Sequence, residues 1–259
     1  SQDLEPVNLR RIAMAFPTTV YLSYGMEKRE TSEQKHKLGT RAITPDGRVF
    51  YYAEDNGTGI ARGGNLVNGI AAVAAHDMDL AAAAASAGAT SFTTSTSLTV
   101  TKDQYKDAYV YVNDGPGEGE IYRIKSNTAV SSATGLSITI DEPDGIATAF
   151  TTDTKLGLMY SPYKDIHIVD GNGTPTTGVV GVTTAPVTAD YFCWVQTSGP
   201  AAVLIGAQVA IVGDGIAVSQ QDEDGTAERT DYSDESDLVN IGHAMGIPAV
   251  ATQYQWVML

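Results

Sequence analysis

The chain has 259 residues and a mass of 27.3 kDa, and 42% of its residues are hydrophobic while only 18% are charged. This composition can bury a large core, in one all-β unit or in two smaller domains. The formal net charge of −15 argues against binding to nucleic acids or anionic membrane surfaces, because such contacts depend on Lys and Arg.

Residues 1–36 are predicted to form an extended N-terminal arm that contacts other subunits. Residues 1–48 contain eight Lys or Arg against six Asp or Glu, whereas the remainder contains eight against 25. A nearly neutral segment on an acidic body is typical of an arm that touches another protein, and an ordinary edge of the same domain is the alternative.

Residues 37–259 are predicted to be a β-rich body, with 66–90 as the place for a sub-boundary. A first hairpin is indicated by the turn TPDG at 44–47, between two strand-like runs. A second is indicated at 109–125, where Tyr109, Tyr111 and Asn113 alternate with valines before the turn NDGPG. Alternation with a period of two is the pattern of a strand with two different faces.

The stretch 66–87, LVNGIAAVAAHDMDLAAAAASA, differs from its surroundings because it is rich in alanine, the best helix former. Its weak apolar periodicity and Gly69 argue against a long helix. We expect one short helix here, or a loop packed against a neighbouring subunit.

Short strands with turn signals between them follow at intervals of about 8–12 residues, which is typical of a sandwich or barrel. The strands expected after residue 90 are Ser97–Thr101, Ala108–Asn113, Glu120–Lys125, Leu136–Ile140, Lys164–Val169, Val179–Thr183, Tyr191–Gln196, Ala202–Ile205, Val209–Val212 and Ile216–Val218. The predicted fold is therefore mainly β, an antiparallel β-sandwich or barrel-like body with an extended N-terminal arm and at most one or two short helices.

The segment Gly213–Asp237 holds nine acidic residues against one arginine and is predicted to be a surface loop. A solvated acidic face is favoured over a cation site, because the run lacks the alternating ligands of a calcium loop. Pro248–Leu259 ends in the strand-like ATQYQWVML, which is apolar enough to dock rather than extend into solvent.

Catalytic chemistry finds little support in the sequence. The histidines are His36, His76, His167 and His243, scattered over four segments, and neither a G-x-S-x-G nor an H-E-x-x-H motif occurs. Cys193, the only cysteine, lies between Phe192 and Trp194 and is interpreted as a buried thiol.

Binding motifs for small ligands are equally weak. The run GPGEG at 115–119 is interpreted as a turn, because a strand follows it where a phosphate loop needs a helix, and Glu118 and Glu120 would repel phosphate. The tyrosines that alternate on strands favour cross-strand packing over glycan binding. We therefore predict a protein that is not an enzyme, with no catalytic residues, no cofactor and no metal.

Three segments together carry a family resemblance. They are LGTRA with DGRVFYY at 38–52, DAYVYVNDGPGEGEIYRIKS at 107–126, and YFCWVQTSGPAAVL at 191–204. In this order and spacing the chain resembles structural proteins of tailed bacteriophages, over most of residues 37–218. The Ala-rich stretch at 66–87 and the acidic segment at 213–237 depart from any decoration-protein pattern.

The resemblance implies a virion structural protein, in the first place a capsid decoration or cement protein that binds and stabilises the lattice of the major capsid protein. It implies a homotrimer on the capsid exterior, made in the cytoplasm of the bacterial host, and the net charge predicts no contact with nucleic acid or membrane. The alternative is a tail, adaptor or fibre-associated virion protein, and less favoured are a virion-bound hydrolase and a glycan-binding module.

In this role, exposed aromatic and basic side chains of the arm and of the C-terminus are expected to contact partner subunits. The predicted contact residues are Arg10, Arg11, Phe16, Tyr21, Tyr24, Lys28, Arg29 and Trp256.

Overall fold

A computed structural model describes residues 19–94, 99–131, 135–171, 177–206, 210–219, 224–230, 240–246 and 253–259. The strands of these residues, in chain order, are β1 Val20–Tyr21, β2 Arg41–Ile43, β3 Val49–Glu54, β4 Leu66–Asn68, β5 Leu80–Ala81, β6 Ser91–Thr94, β7 Thr99–Val100, β8 Tyr109–Asp114, β9 Ile121–Asn127, β10 Val130–Ser131, β11 Leu136–Ile140, β12 Lys155–Met159, β13 His167–Ile168, β14 Val179–Thr183, β15 Phe192–Ser198, β16 Pro200–Leu204, β17 Gly215–Val218, β18 Ala227–Arg229, β19 Asn240–Ala244 and β20 Tyr254–Met258. Helical structure within the same residues is limited to a 3-10 turn at Met26–Lys28 and one short helix, α1, at Ala74–Asp77. The predicted fold class, mainly antiparallel β with at most one or two short helices, is confirmed.

A six-stranded sheet forms the centre of the fold, with the strand order β5-β12-β8-β9-β11-β6. Its two edges meet, because Ala82 bridges Thr94 and the Ala83 amide donates to the Thr93 carbonyl at 2.8 Å. The sheet thus closes into a barrel-like shape. Its interior holds a large cluster of buried side chains, which includes Ile124 and Leu156 at 0% exposure.

The Ala-rich stretch explains how the barrel closes. Only α1 is helical, and the following residues run as a strand beside β12 and then bridge β6. Small side chains allow two backbones to approach closely, and the stretch lacks a row of large apolar residues that a long helix would bury. This is why a strong helix former occupies an edge of a sheet here.

A seven-stranded sheet carries the barrel as an insertion. Its strand order is β1-β2-β3-β15-β14-β4-β13, and the whole barrel lies in the chain between the neighbouring strands β4 and β13. Only β1 and β2 pair in parallel, and every other pair of named strands in the described residues is antiparallel. Phe50, Tyr52 and Trp194 are buried on one side of the sheet.

A five-stranded sheet, ordered β16-β20-β19-β17-β18, completes the fold. Ile205, which follows β16, bridges Ala227 of β18, so this sheet also curls until its ends meet. The predicted strand at Ile216–Val218 is confirmed as β17, whereas the predicted surface loop at 213–237 is wrong for β18, which lies in the same sheet. These strands bury Ile216 and Ala227 in the sheet interior, and the carboxylate of the buried Glu228 accepts a hydrogen bond from the Ser219 hydroxyl at 3.2 Å.

The lead-in, residues 19–36, packs on the body of its own chain. Val20 and Tyr21 pair with β2, Leu22 is buried beside Phe50, and Thr31 bridges Phe192. Residues 19–36 therefore differ from the expected arm, because the burial of Leu22 and the paired backbone groups keep them packed on the body. Residues 1–18 lie outside the described residues, and contact of the arm with other subunits stays a prediction.

A polar joint connects the lead-in to the barrel. The buried Asp107 carboxylate accepts hydrogen bonds from the Gln34 amide at 2.8 Å and from the Leu38 backbone N–H at 3.2 Å. Arg123 of β9 lies 3.7 Å from the same carboxylate and donates to the Leu38 carbonyl at 2.5 Å. Lys37 forms an additional ion pair with Asp141. The barrel is thus fixed to the larger sheet by charge-assisted hydrogen bonds.

Candidate interaction surfaces

The lead-in presents an exposed group of aromatic and basic side chains, which we call the lead-in surface. It consists of Tyr21, Tyr24, Met26, Lys28 and Arg29. Tyr21 is 79% exposed and Tyr24 is 64% exposed, and both basic side chains face solvent. Tyrosine and arginine contribute more to protein–protein binding energy than most other residues.

The backbone beneath the lead-in surface is fixed. The Leu22 amide donates to the Ile43 carbonyl at 2.9 Å, and the Glu27 carbonyl accepts from the Thr184 hydroxyl at 2.9 Å. Glu27 is 4% exposed and its carboxylate lies 3.4 Å from the Arg48 guanidinium. The exposed tyrosines therefore project from an ordered segment, which lowers the entropy that a partner would have to remove.

The outer face of the five-stranded sheet is the second exposed apolar group, which we call the C-terminal face. Its residues are Ala202, Met245, Tyr254, Trp256 and Met258. Trp256 is 52% exposed and lies between Ala202, its partner in β16, and Met245, whose amide donates to the Trp256 carbonyl at 2.9 Å. Contiguous exposed apolar side chains of this kind mark interaction sites.

The alternation of YQWVM produces the C-terminal face. Gln255 and Val257 point inward, where Val257 joins the buried cluster and the Gln255 amide donates to the Ala210 and Gly246 carbonyls, each at 3.0 Å. Tyr254, Trp256 and Met258 must then point outward, since successive side chains of a strand alternate between faces.

A groove of about 400 Å³ joins the two surfaces. Lys28 of the lead-in surface and Tyr254 of the C-terminal face both line it, together with Arg48 and Gly64. The Tyr254 hydroxyl donates to the Gly63 carbonyl at 3.0 Å. Arg48 is already paired with Asp46 at 2.8 Å, and the Thr44 hydroxyl and Arg48 together lower the pKa of the Asp46 carboxyl.

Gly64 is the residue on which the shape of this groove depends. Its φ is +80°, and a Cβ there would lie 2.4 Å from the Tyr254 ring. We expect Gly64→Ala to lower the free energy of unfolding by more than about 2 kcal/mol, because strain and a clash add. Gly25→Ala is the matched control, since its φ is +88° and nothing lies within 4 Å. Urea unfolding followed by tryptophan fluorescence measures the free energy of unfolding of both variants. Equal losses of stability would show that the Cβ at position 64 does not clash with Tyr254.

The structure brings only some of the predicted contact residues together. Lys28 lines the groove with Tyr254, two residues from Trp256, and together with Arg29 it also lines a small depression next to Pro186. Arg10, Arg11 and Phe16 lie outside the described residues. The sequence analysis missed Met26 of the lead-in surface and every residue of the C-terminal face except Trp256, although the alternation around Trp256 is visible in the sequence.

The four histidines lie in four separate parts of the chain, and three of them lie on α1, β13 and β19. His36 packs edge-on against Tyr52, with ring centroids 5.2 Å apart, and burial lowers its pKa. In α1, the His76 ring nitrogen lies 2.5 Å from the Tyr105 hydroxyl, and burial lowers the pKa of His76 as well. His167 faces the Asp165 carbonyl at 3.3 Å, and His243 is exposed on β19.

Cys193 is 5% exposed, in the interior of β15, and burial, with Asp55 and Glu30 nearby, raises the pKa of its thiol to about 12. Because the fold favours the neutral thiol, its contribution to stability is complete below the unfolded pKa of about 8.5 and is lost as pH rises toward 12. Between pH 9 and 12, wild type should therefore lose up to about 1.4 kcal/mol per pH unit more than Cys193→Ala. Urea unfolding of both proteins at each pH tests this, and parallel pH profiles would contradict it.

Two acidic residues of the segment 213–237 accept hydrogen bonds from backbone amides. Asp214 accepts from the Ile211 amide at 3.0 Å, and Asp224 accepts from the Gly171 amide at 3.1 Å. Within the described ranges, no three His, Cys, Asp or Glu side chains are grouped so that they could hold a metal ion. The other acidic residues of the segment 213–237, apart from Glu228, lie outside these ranges.

None of the helices in the described part of the chain is long and apolar enough to cross a membrane. Comparison with known proteins gave no match: no family model, no curated protein and no solved structure matches this chain. Its function must therefore be inferred from its surfaces.

Proposed function

We propose that this chain is a structural protein of a tailed-phage virion, in particular a capsid decoration protein that binds the major capsid protein and stabilises its lattice. The observation that carries the proposal is the lead-in surface, where Tyr21 and Tyr24 are exposed on an ordered backbone. The class of partner is taken from the resemblance to phage structural proteins that the sequence analysis predicts from three segments.

The charge distribution supports a docking role for the lead-in surface. Lys28 and Arg29 are exposed and follow two exposed tyrosines closely in the chain, in a protein of net charge −15. An acidic body repels other acidic surfaces except where basic side chains are concentrated. The lead-in surface is therefore electrostatically favoured for contact with an acidic partner. Aromatic side chains within such a patch supply the buried area at the centre of the interface.

The closed sheets suit a protein whose role is mechanical. A sheet whose edges pair with each other offers few free backbone groups for unwanted strand addition. In this proposal the protein acts as a homotrimer on the outside of the capsid and carries out no chemical reaction.

Binding to capsids assembled without this chain tests the proposal. Wild-type protein should cosediment with them and raise their thermal stability, and Tyr21→Ala/Tyr24→Ala should weaken binding at least about tenfold. Met78→Ala/Ile121→Ala is the matched control, because these apolar side chains are 59% and 54% exposed elsewhere. Failure of wild type to bind, or equal binding of the tyrosine variant, would contradict the proposal.

A further inference from the structure

We propose that the C-terminal face binds residues 12–16 of a second copy of this chain, so that the protein assembles by exchanging N-terminal segments. This inference concerns the free protein and does not depend on a capsid role. It rests on the pattern of the N-terminal segment, on where that segment leaves the body, and on charge.

The segment IAMAF at 12–16 alternates large and small side chains. If it is extended, Ile12, Met14 and Phe16 lie on one side and two alanines on the other. Burial of these large side chains against an apolar surface would stabilise such a segment. Five extended residues span about 17 Å, which equals the length of the five residues of β20 that carry Tyr254, Trp256 and Met258.

The direction of β1 favours a second copy over the same chain. Val20 and Tyr21 run parallel to Ala42 and Ile43, so the chain moves toward the turn at 44–47 as it leaves β1. Arg48, which follows this turn, lines the groove beside Tyr254. Thr19, where the described chain begins, therefore lies toward the Arg41 end of β2, away from this turn and from the groove.

Charge favours the segment over the body as the occupant. Residues 1–18 balance Arg10 and Arg11 against Asp3 and Glu5, whereas the whole chain carries −15. Two acidic bodies repel each other, while a neutral, narrow segment reaches the face at little electrostatic cost. A contact between a segment and a face on another copy joins different surfaces, so its repetition gives a closed ring where the rotation between copies closes and an open filament where it does not.

Paired substitutions in the full-length chain test the exchange. We expect sedimentation equilibrium to show a discrete oligomer heavier than the 27.3 kDa chain for wild type. Met14→Glu/Phe16→Glu and Trp256→Glu should each weaken association at least about tenfold. Ala13→Glu/Ala15→Glu adds the same charge to the other side of the segment and should leave association unchanged. A monomeric wild type, or equal effects of the two double variants, would overturn the proposal.

A photo-crosslinking residue at position 16 identifies the occupied face. In a mixture of heavy-isotope-labelled and unlabelled chains, position 16 should crosslink to the peptide 253–259, and the crosslinked pairs should include both isotopes. Crosslinks that join only chains of the same isotope would show that the segment covers its own face, and crosslinks elsewhere would show that another surface binds it. Either result overturns the proposal, and neither depends on binding to capsids.

Discussion

Leu156→Ala is expected to lower the free energy of unfolding by about 2–5 kcal/mol. Leu156 is 0% exposed in β12, which lies between β5 and β8 inside the barrel. Its truncation leaves a cavity in a closed sheet, where strands paired on both sides have little freedom to move inward. The loss should be among the largest that a single apolar truncation causes in this chain.

Met159→Ala is the matched control for Leu156→Ala, because Met159 ends the same strand but is 39% exposed. Its cost should stay below about 1 kcal/mol. Urea unfolding followed by far-UV circular dichroism measures both variants. Similar losses would show that the barrel interior is not the close-packed core described here.

Asp107→Ala is expected to cost about 3–5 kcal/mol. The Asp107 carboxylate is 3% exposed and holds the Gln34 amide, the Leu38 N–H and the Arg123 guanidinium at the joint between the lead-in and the barrel. Its removal leaves these donors without the acceptor and leaves the arginine charge without a counterion. Alanine would also have to adopt the φ of +62° found at this position.

Asp107→Asn separates the contributions of charge and geometry. Asparagine tolerates a positive φ, and its side-chain oxygen can still accept hydrogen bonds, so we expect it to recover at least about half of the loss. Urea unfolding by circular dichroism compares the two variants. If asparagine were as damaging as alanine, the charge of Asp107 would dominate the joint, and if alanine were harmless, the joint would not hold the barrel in place.

Local turn chemistry made the hairpins predictable. The run TPDG at 44–47 joins β2 to β3, and the glycines at 115–119 lie between β8 and β9, as expected. Both turns depend on residues that are adjacent in the chain, so their signal is local. The alternation of Tyr109 to Asn113 likewise predicts β8 correctly, because one face of this strand is buried in the barrel.

Elements defined by distant contacts could not be predicted in the same way. The sequence analysis missed β12, since Gly157 interrupts its apolar run. This glycine is required by its neighbours, because a Cβ there would lie 2.4 Å from the Tyr111 ring. Ile211 and Val212 were predicted to lie in a strand, but they are 64% and 56% exposed next to a turn. Their apolar character alone does not show whether other parts of the chain would pack over them.

The interaction surfaces were predictable only in part. Trp256 was identified because tryptophan in a short C-terminal strand is conspicuous, and Tyr21 and Tyr24 because aromatic side chains accompany basic ones. The groove could not be found in the sequence, since the Tyr254 hydroxyl and the Gly63 carbonyl that bound it are 191 residues apart in the chain. Surfaces formed by strands that are far apart in the sequence can be recognised only in the folded structure.

The copy number of this protein in purified virions tests the central claim most directly. Quantitative mass spectrometry against the major capsid protein should give a fixed ratio set by the symmetry of the shell, as expected for a protein that binds the capsid lattice. A count limited to the few subunits of a single tail, or absence of the chain from virions, would contradict the account.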